Sequence, residues 1–86
     1  MNINNLIAII KKKLTDSIVI EKIEIEDKSF LHKNHSGHQE GRFHLRIIIK
    51  SSELKNLSRI ESNKKIYKIL DLEMKEYIHS LQILIS

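Results

Sequence analysis

Apolar residues Ile3, Leu6, Ile7, Ile10 and Leu14 recur at helical spacing, which lines them along one face and predicts a first helix over residues 3–14. Lys11 to Lys13 then fall in its last turns, where cations favour the C-terminal end of the helix dipole. After Asp16 and Ser17 the period shortens. Ile18 and Ile20, then Ile23 and Ile25, alternate with other residues, as a half-buried strand requires. The phase slips between Ile20 and Ile23, so a regular strand is predicted from near Glu21. The segment RFHLRIIIK places Phe43, Leu45, Ile47 and Ile49 on one face and His44, Arg46, Ile48 and Lys50 on the other. It is the clearest strand in the chain.

Beyond the short link SSELKN, Ser58-Arg59-Ile60-Glu61 fits a capping box, in which serine and glutamate side chains satisfy backbone amides left free at a helix start. Ile60, Ile66, Ile69, Leu70, Met74 and Tyr77 follow as one approximate stripe, predicting a long helix to about Tyr77. The final IHSLQILIS returns to alternation through His79, Leu81, Ile83 and Ile85. The order is helix, strand, strand, helix, strand. Two consecutive strands form a hairpin, and the helix before the third lets that strand join the same sheet. The expected fold class is α+β, one small domain over residues 1–86, with a three-stranded mixed sheet and helices on one face.

Composition changes this picture mainly by exclusion. A chain of 86 residues buries roughly 60% of its unfolded surface, so the core is thin. With 41% hydrophobic and 30% charged residues it is too apolar for disorder. There is no cysteine, so no disulfide framework or thiolate metal site is available from this chain. The N-terminal lysines follow a short apolar run instead of preceding it, which is the wrong order for a signal peptide, and the run is too short for a membrane span. A soluble, cytoplasmic protein is expected. The net charge of +4 is spread along the chain and is compatible with nucleic acid without requiring it.

The segment SFLHKNHSGHQEGRFH concentrates candidate chemistry. It holds His32, His35, His38 and His44, four of the five histidines, and both glycines. Imidazoles spaced three apart in a loop present no fixed tetrahedral set, and no cysteine supports them, so a self-contained zinc site is not expected. No nucleophile stands at recognisable spacing from a base and an orienting carboxylate, so an enzyme is not expected either. His79 shares strand parity with Leu81 and Ile83, and on spacing alone reads as a partly buried histidine with one hydrogen bond. His44 opens the second strand on its more polar face, where a cross-strand or surface role and a functional role stand level.

One family gathers these features. Asp27-x-Ser29 near the end of the first strand, His32 in a glycine-containing loop and His44-Leu45 opening the second strand resemble the BolA-like proteins. So does KKIYKILDLEMKEYIHSLQI, an aromatic-containing helix followed by Ile78-His79-Ser80-Leu81. The resemblance covers nearly the whole chain. It implies a fold similar to the type II KH domain and association with a monothiol glutaredoxin, with which such proteins share a two-iron two-sulfur cluster. The partner then supplies thiolates and this chain histidine, with no cofactor in the isolated protein, itself a monomer or weak homodimer. The implied metal ligands are His79 and His32, with His35 as the alternative to His32.

The family is also associated with DNA-binding transcriptional regulation, stress response and cell morphology, and Lys64, Lys65 and Lys68 on the long helix are the candidate phosphate contacts. The family's basic Arg-His-Arg is replaced here by Ser62, Asn63 and Lys64, and its Phe-x-Gly by Leu54-Lys55-Asn56. The KNLS turn lacks the Gly-x-x-Gly of a KH clamp, and the two phenylalanines and two tyrosines leave few bases a stacking platform. A bacterial adaptor that binds a monothiol glutaredoxin is therefore the leading expectation and DNA-binding transcriptional regulation the alternative.

Overall fold

A computed structural model describes residues 1–29 and 42–86. Helix α1, Ile3–Ser17, starts where the Asn2 side chain accepts the Asn5 amide at 2.8 Å. Leu6, Ile10 and Leu14, four residues apart, form its fully buried stripe. The helix runs a turn beyond the predicted end at Leu14 and closes where the Ile18 amide reaches the Leu14 carbonyl at 2.9 Å. Apolar periodicity marks what is buried, and the polar Thr15–Ser17 turn carries none of it. Its last turn therefore contains no basic residue. Lys12 instead pairs with Asp16 one turn along, at 3.1 Å, and Lys13 reaches Glu73 at 2.7 Å.

Strands β1, Lys22–Asp27, and β2, Phe43–Lys50, pair antiparallel, and β3, Ile78–Ile85, adds to β2 in parallel, giving the order β1-β2-β3. The register stacks Ile23, Ile49 and Ile85 in one row and Ile25, Ile47 and Ile83 in the next. These isoleucines meet Leu6, Ile10, Leu14, Ile66 and Leu70 from the helices in one hydrophobic core. On the opposite face Glu26, Arg46 and Gln82 make a polar row, with Arg46 Nε donating to Gln82 Oε1 at 2.9 Å. The small α+β domain with a three-stranded mixed sheet is as expected.

The helical half differs in three respects. The link SSELKN holds a short helix, α2, Ser52–Lys55. Buried Ser51 caps it, its Oγ accepting the Leu54 amide at 3.2 Å while donating to the Val19 carbonyl at 2.7 Å. The predicted long helix is divided into α3, Arg59–Ile69, and α4, Asp71–Glu76. At the joint Leu70 has φ −96° and ψ 18°, off the helical track, yet its side chain is fully buried. The turn keeps Leu70 in the core, brings buried Glu73 round to Lys13, and leaves the Tyr77 carbonyl to accept the Phe43 amide at 2.9 Å. Neither proline nor glycine marks it. Ile60, assigned to the apolar stripe, is 69% exposed, because the buried stripe runs through Ser62, Ile66 and Leu70, four residues apart, and Ile60 lies on the other side of the helix.

Candidate metal-ligand site

The end of β1 and the start of β2 are tied by backbone and short polar side chains. Ser29 donates its amide to Asp27 Oδ1 at 2.9 Å, and its hydroxyl accepts the His44 amide at 3.0 Å. The Lys28 amide reaches the His44 carbonyl at 2.7 Å. The Asp-x-Ser pattern is thus a local turn whose serine fixes the backbone of His44, consistent with the tendency of aspartate to bond the chain two residues on.

Across the β2·β3 pair the register slips by one residue. Phe43 faces Ile78, but His44 faces Ser80. His79 is the extra residue of a bulge, a device that re-aims side chains and is uncommon between parallel strands. Strand parity with Leu81 is therefore broken at this point. His79 is exposed, against the expectation of a partly buried histidine, while Ile78 is buried. A single β2 residue now meets two from β3. His44 Nδ1 lies 2.6 Å from Ser80 Oγ, and His44 Nε2 lies 3.2 Å from His79 Nδ1. The rings stand edge to face, at 82° with centroids 4.7 Å apart.

His44 is only 6% exposed although it points to the polar face of the sheet. A buried imidazole needs partners for both nitrogens, and these two contacts supply them. His79 is its complement. Its Nδ1 is engaged, and its Nε2 has no hydrogen-bond partner among the described residues. Beside the pair a shallow cavity of about 230 Å³ opens along Lys28, Arg46 and Gln82. An exposed imidazole with one nitrogen oriented and the other unengaged is a usable ligand for zinc or iron, since ligating histidines characteristically hydrogen-bond through their second nitrogen. Among the described residues no three His, Cys, Asp or Glu converge on one point, so remaining ligands would have to come from outside this set.

Of the sequence-derived candidates, His79 lies at the centre of this arrangement, while His32 and His35 are outside the described residues. His44 is brought against His79. The signal for that contact lay in the apolar positions of β3, where Ile78 and Leu81 are three apart in a strand whose later inward residues are two apart. Such an odd spacing marks a bulge. Lys64, Lys65 and Lys68 lie elsewhere, on α3. Lys64 and Lys68 are exposed, whereas Lys65 Nζ is 2.9 Å from Glu53 Oε2.

Comparison with known proteins bears on the family and the fold. The model of the BolA-like protein family matches residues 14–86. The DNA-binding transcriptional regulator BolA of Haemophilus influenzae is 29% identical over 73 residues, spanning 85% of this chain and 68% of that protein. The BolA domain of SufE1 from Arabidopsis thaliana superposes with a TM-score of 0.78 at 26% identity, over 100% of this chain and 93% of that one. BolA1 from Mus musculus gives 0.71 at 23% identity, over 90% of this chain and 60% of that one, a likeness of fold alone. No helix among the described residues is long and apolar enough to cross a membrane.

Proposed function

From the premise that the chain belongs to the BolA-like protein family, we propose that it is a cytoplasmic adaptor that binds a monothiol glutaredoxin and shares a two-iron two-sulfur cluster with it. The observation that carries this reading is the exposed His79 imidazole, held through Nδ1 and unengaged at Nε2 among the described residues. The donor set fits such a group. This chain has no cysteine and offers neutral imidazole, so thiolates come from the partner. Imidazole in place of thiolate on one iron leaves less negative charge at the site and raises its potential. His79 would be the ligand from β3, and His32, with His35 as its alternative, the ligand from the loop. The remaining work of this chain is to present that imidazole in one orientation on a rigid sheet.

The test is to mix the protein with cluster-loaded monothiol glutaredoxin and follow visible absorption and circular dichroism. A new spectrum that His79→Ala abolishes is expected. Unchanged spectra for both proteins would refute the proposal.

A second reading, DNA-binding regulation, is favoured by the name of the Haemophilus influenzae relative and by the exposed Lys64 and Lys68 on α3. Lys65 contributes less to it, because Glu53 already accepts its ammonium group. A gel-shift series in salt separates the readings. Phosphate contacts through Lys64 and Lys68 would each lower the slope of log K against log salt by about 0.9 when replaced by alanine.

A further inference from the structure

The bulge leaves His79 with two unlike ring nitrogens. Nδ1 faces His44 Nε2 at 3.2 Å, and Nε2 has no partner among the described residues. His44 is itself fixed at three points: its amide on Ser29 Oγ at 3.0 Å, its carbonyl under the Lys28 amide at 2.7 Å, and its Nδ1 against Ser80 Oγ at 2.6 Å. The two backbone bonds anchor the strand at His44, and a ring so buried cannot swing away to free His79 Nδ1 without also breaking its Nδ1 contact with Ser80 Oγ.

We propose that His44 is a positioning residue for His79: by occupying Nδ1 it leaves Nε2 as the one ring nitrogen through which His79 binds a metal. The hydrogen-bond chain accommodates the proton this requires. A neutral imidazole that gives Nε2 to a metal carries its proton on Nδ1, and that N–H donates to His44 Nε2. His44 then carries its own proton on Nδ1 and donates it to Ser80 Oγ. In this arrangement one proton lies between His79 Nδ1 and His44 Nε2, and one between His44 Nδ1 and Ser80 Oγ. Ser80 is the terminus that lets the chain run this way, because a hydroxyl accepts as readily as it donates.

The inference rests on the proposed function only in regarding His79 as a ligand, and it is tested without a glutaredoxin. Protein labelled with ¹⁵N at histidine is titrated with zinc, and long-range proton–nitrogen correlation spectra identify which His79 nitrogen is coordinated. In the wild type, Nε2 is expected to take the coordinated shift while Nδ1 remains protonated. In His44→Ala, His79 is expected to bind zinc 10–100-fold more weakly and to lose its selection of Nε2. His44→Gln, whose amide oxygen restores an acceptor, should recover part of both, and it serves if the alanine variant does not fold. Coordination through Nδ1 in the wild type would overturn the proposal, as would no response at His79 or unchanged selectivity in a folded His44 variant. Failure of the glutaredoxin mixing experiment alongside selective Nε2 coordination would instead count against the function and leave the positioning role standing.

Discussion

Ser29 Oγ accepts the backbone amide of His44 at 3.0 Å across fifteen residues of chain. This bond ties the two strands together just beyond the Asp27–Leu45 pair, at the end where the chain passes from β1 to β2. The amide is partly buried, so removing its acceptor strands a donor, at a net cost of about 1 kcal/mol. Ser29→Ala is expected to lower unfolding free energy in urea by about that amount and to speed hydrogen exchange at the His44 amide. Unchanged exchange at His44 in the variant would show that Ser29 does not fix this strand end.

The two faces of β2 make a sharper contrast. Ile47 is fully buried between Ile25 and Ile83 in the core row, while Ile48 is only half-buried on the opposite face between Glu24 and Leu84. Truncating a buried isoleucine removes its transfer energy and leaves a cavity, about 2–5 kcal/mol together. Ile47→Ala is predicted to fall in that range in equilibrium denaturation, and Ile48→Ala to cost less than about half as much. Equal effects would mean that the face assignment is wrong.

Most of this architecture was legible because period and burial coincide. Wherever one face of an element is apolar, the alternation in β2 or the four-residue spacing of Leu6, Ile10 and Leu14 identifies what is buried. The reading failed where geometry departs from its period. At Leu70 the helix turns without a breaker, since a buried leucine satisfies either a continuous or a divided helix. At His79 one extra residue in β3 exchanges the inward and outward sets, so that a histidine in phase with Leu81 lies against His44. The pairing of the two histidines depends on that register, whose one trace in the sequence is the three-residue step from Ile78 to Leu81.

Lys13 and Glu73 supply the link between α1 and α4. Glu73 is buried, with Oε2 2.7 Å from Lys13 Nζ and Oε1 buried without a hydrogen-bond partner among the described residues. A carboxylate that has given up water for a single partner depends on that partner, although the lysine side chain is 38% exposed and its attraction is screened accordingly. Lys13→Met is expected to destabilise by about 1–2 kcal/mol, less than loss of a partner from a wholly buried pair. Lys13→Met in a Glu73→Leu background should cost markedly less. A double-mutant cycle with no coupling would show that the pair contributes nothing beyond packing.

Three carboxylates around α2 and the start of α3 titrate below the ordinary glutamate range. The Ser52 hydroxyl and amide hold Glu21 down, the Lys65 ammonium and the Val19 amide hold Glu53 down, and the Ser58 amide does the same for Glu61. A lowered folded-state value means that the unfolded chain binds more protons as acid is added, so stability rises with pH through this window. The contribution is fully present above the unfolded-state glutamate range and is lost as pH falls through the lower folded-state values. A variant carrying Glu21→Gln, Glu53→Gln and Glu61→Gln should therefore be less stable than wild type at pH 7, and the difference should narrow toward pH 3. Urea midpoints measured across that range check the sign, because ion pairs and charge-assisted hydrogen bonds lose their advantage once the carboxyls are neutral. A difference that stays constant with pH would mean that these bonds act through shape and not through charge.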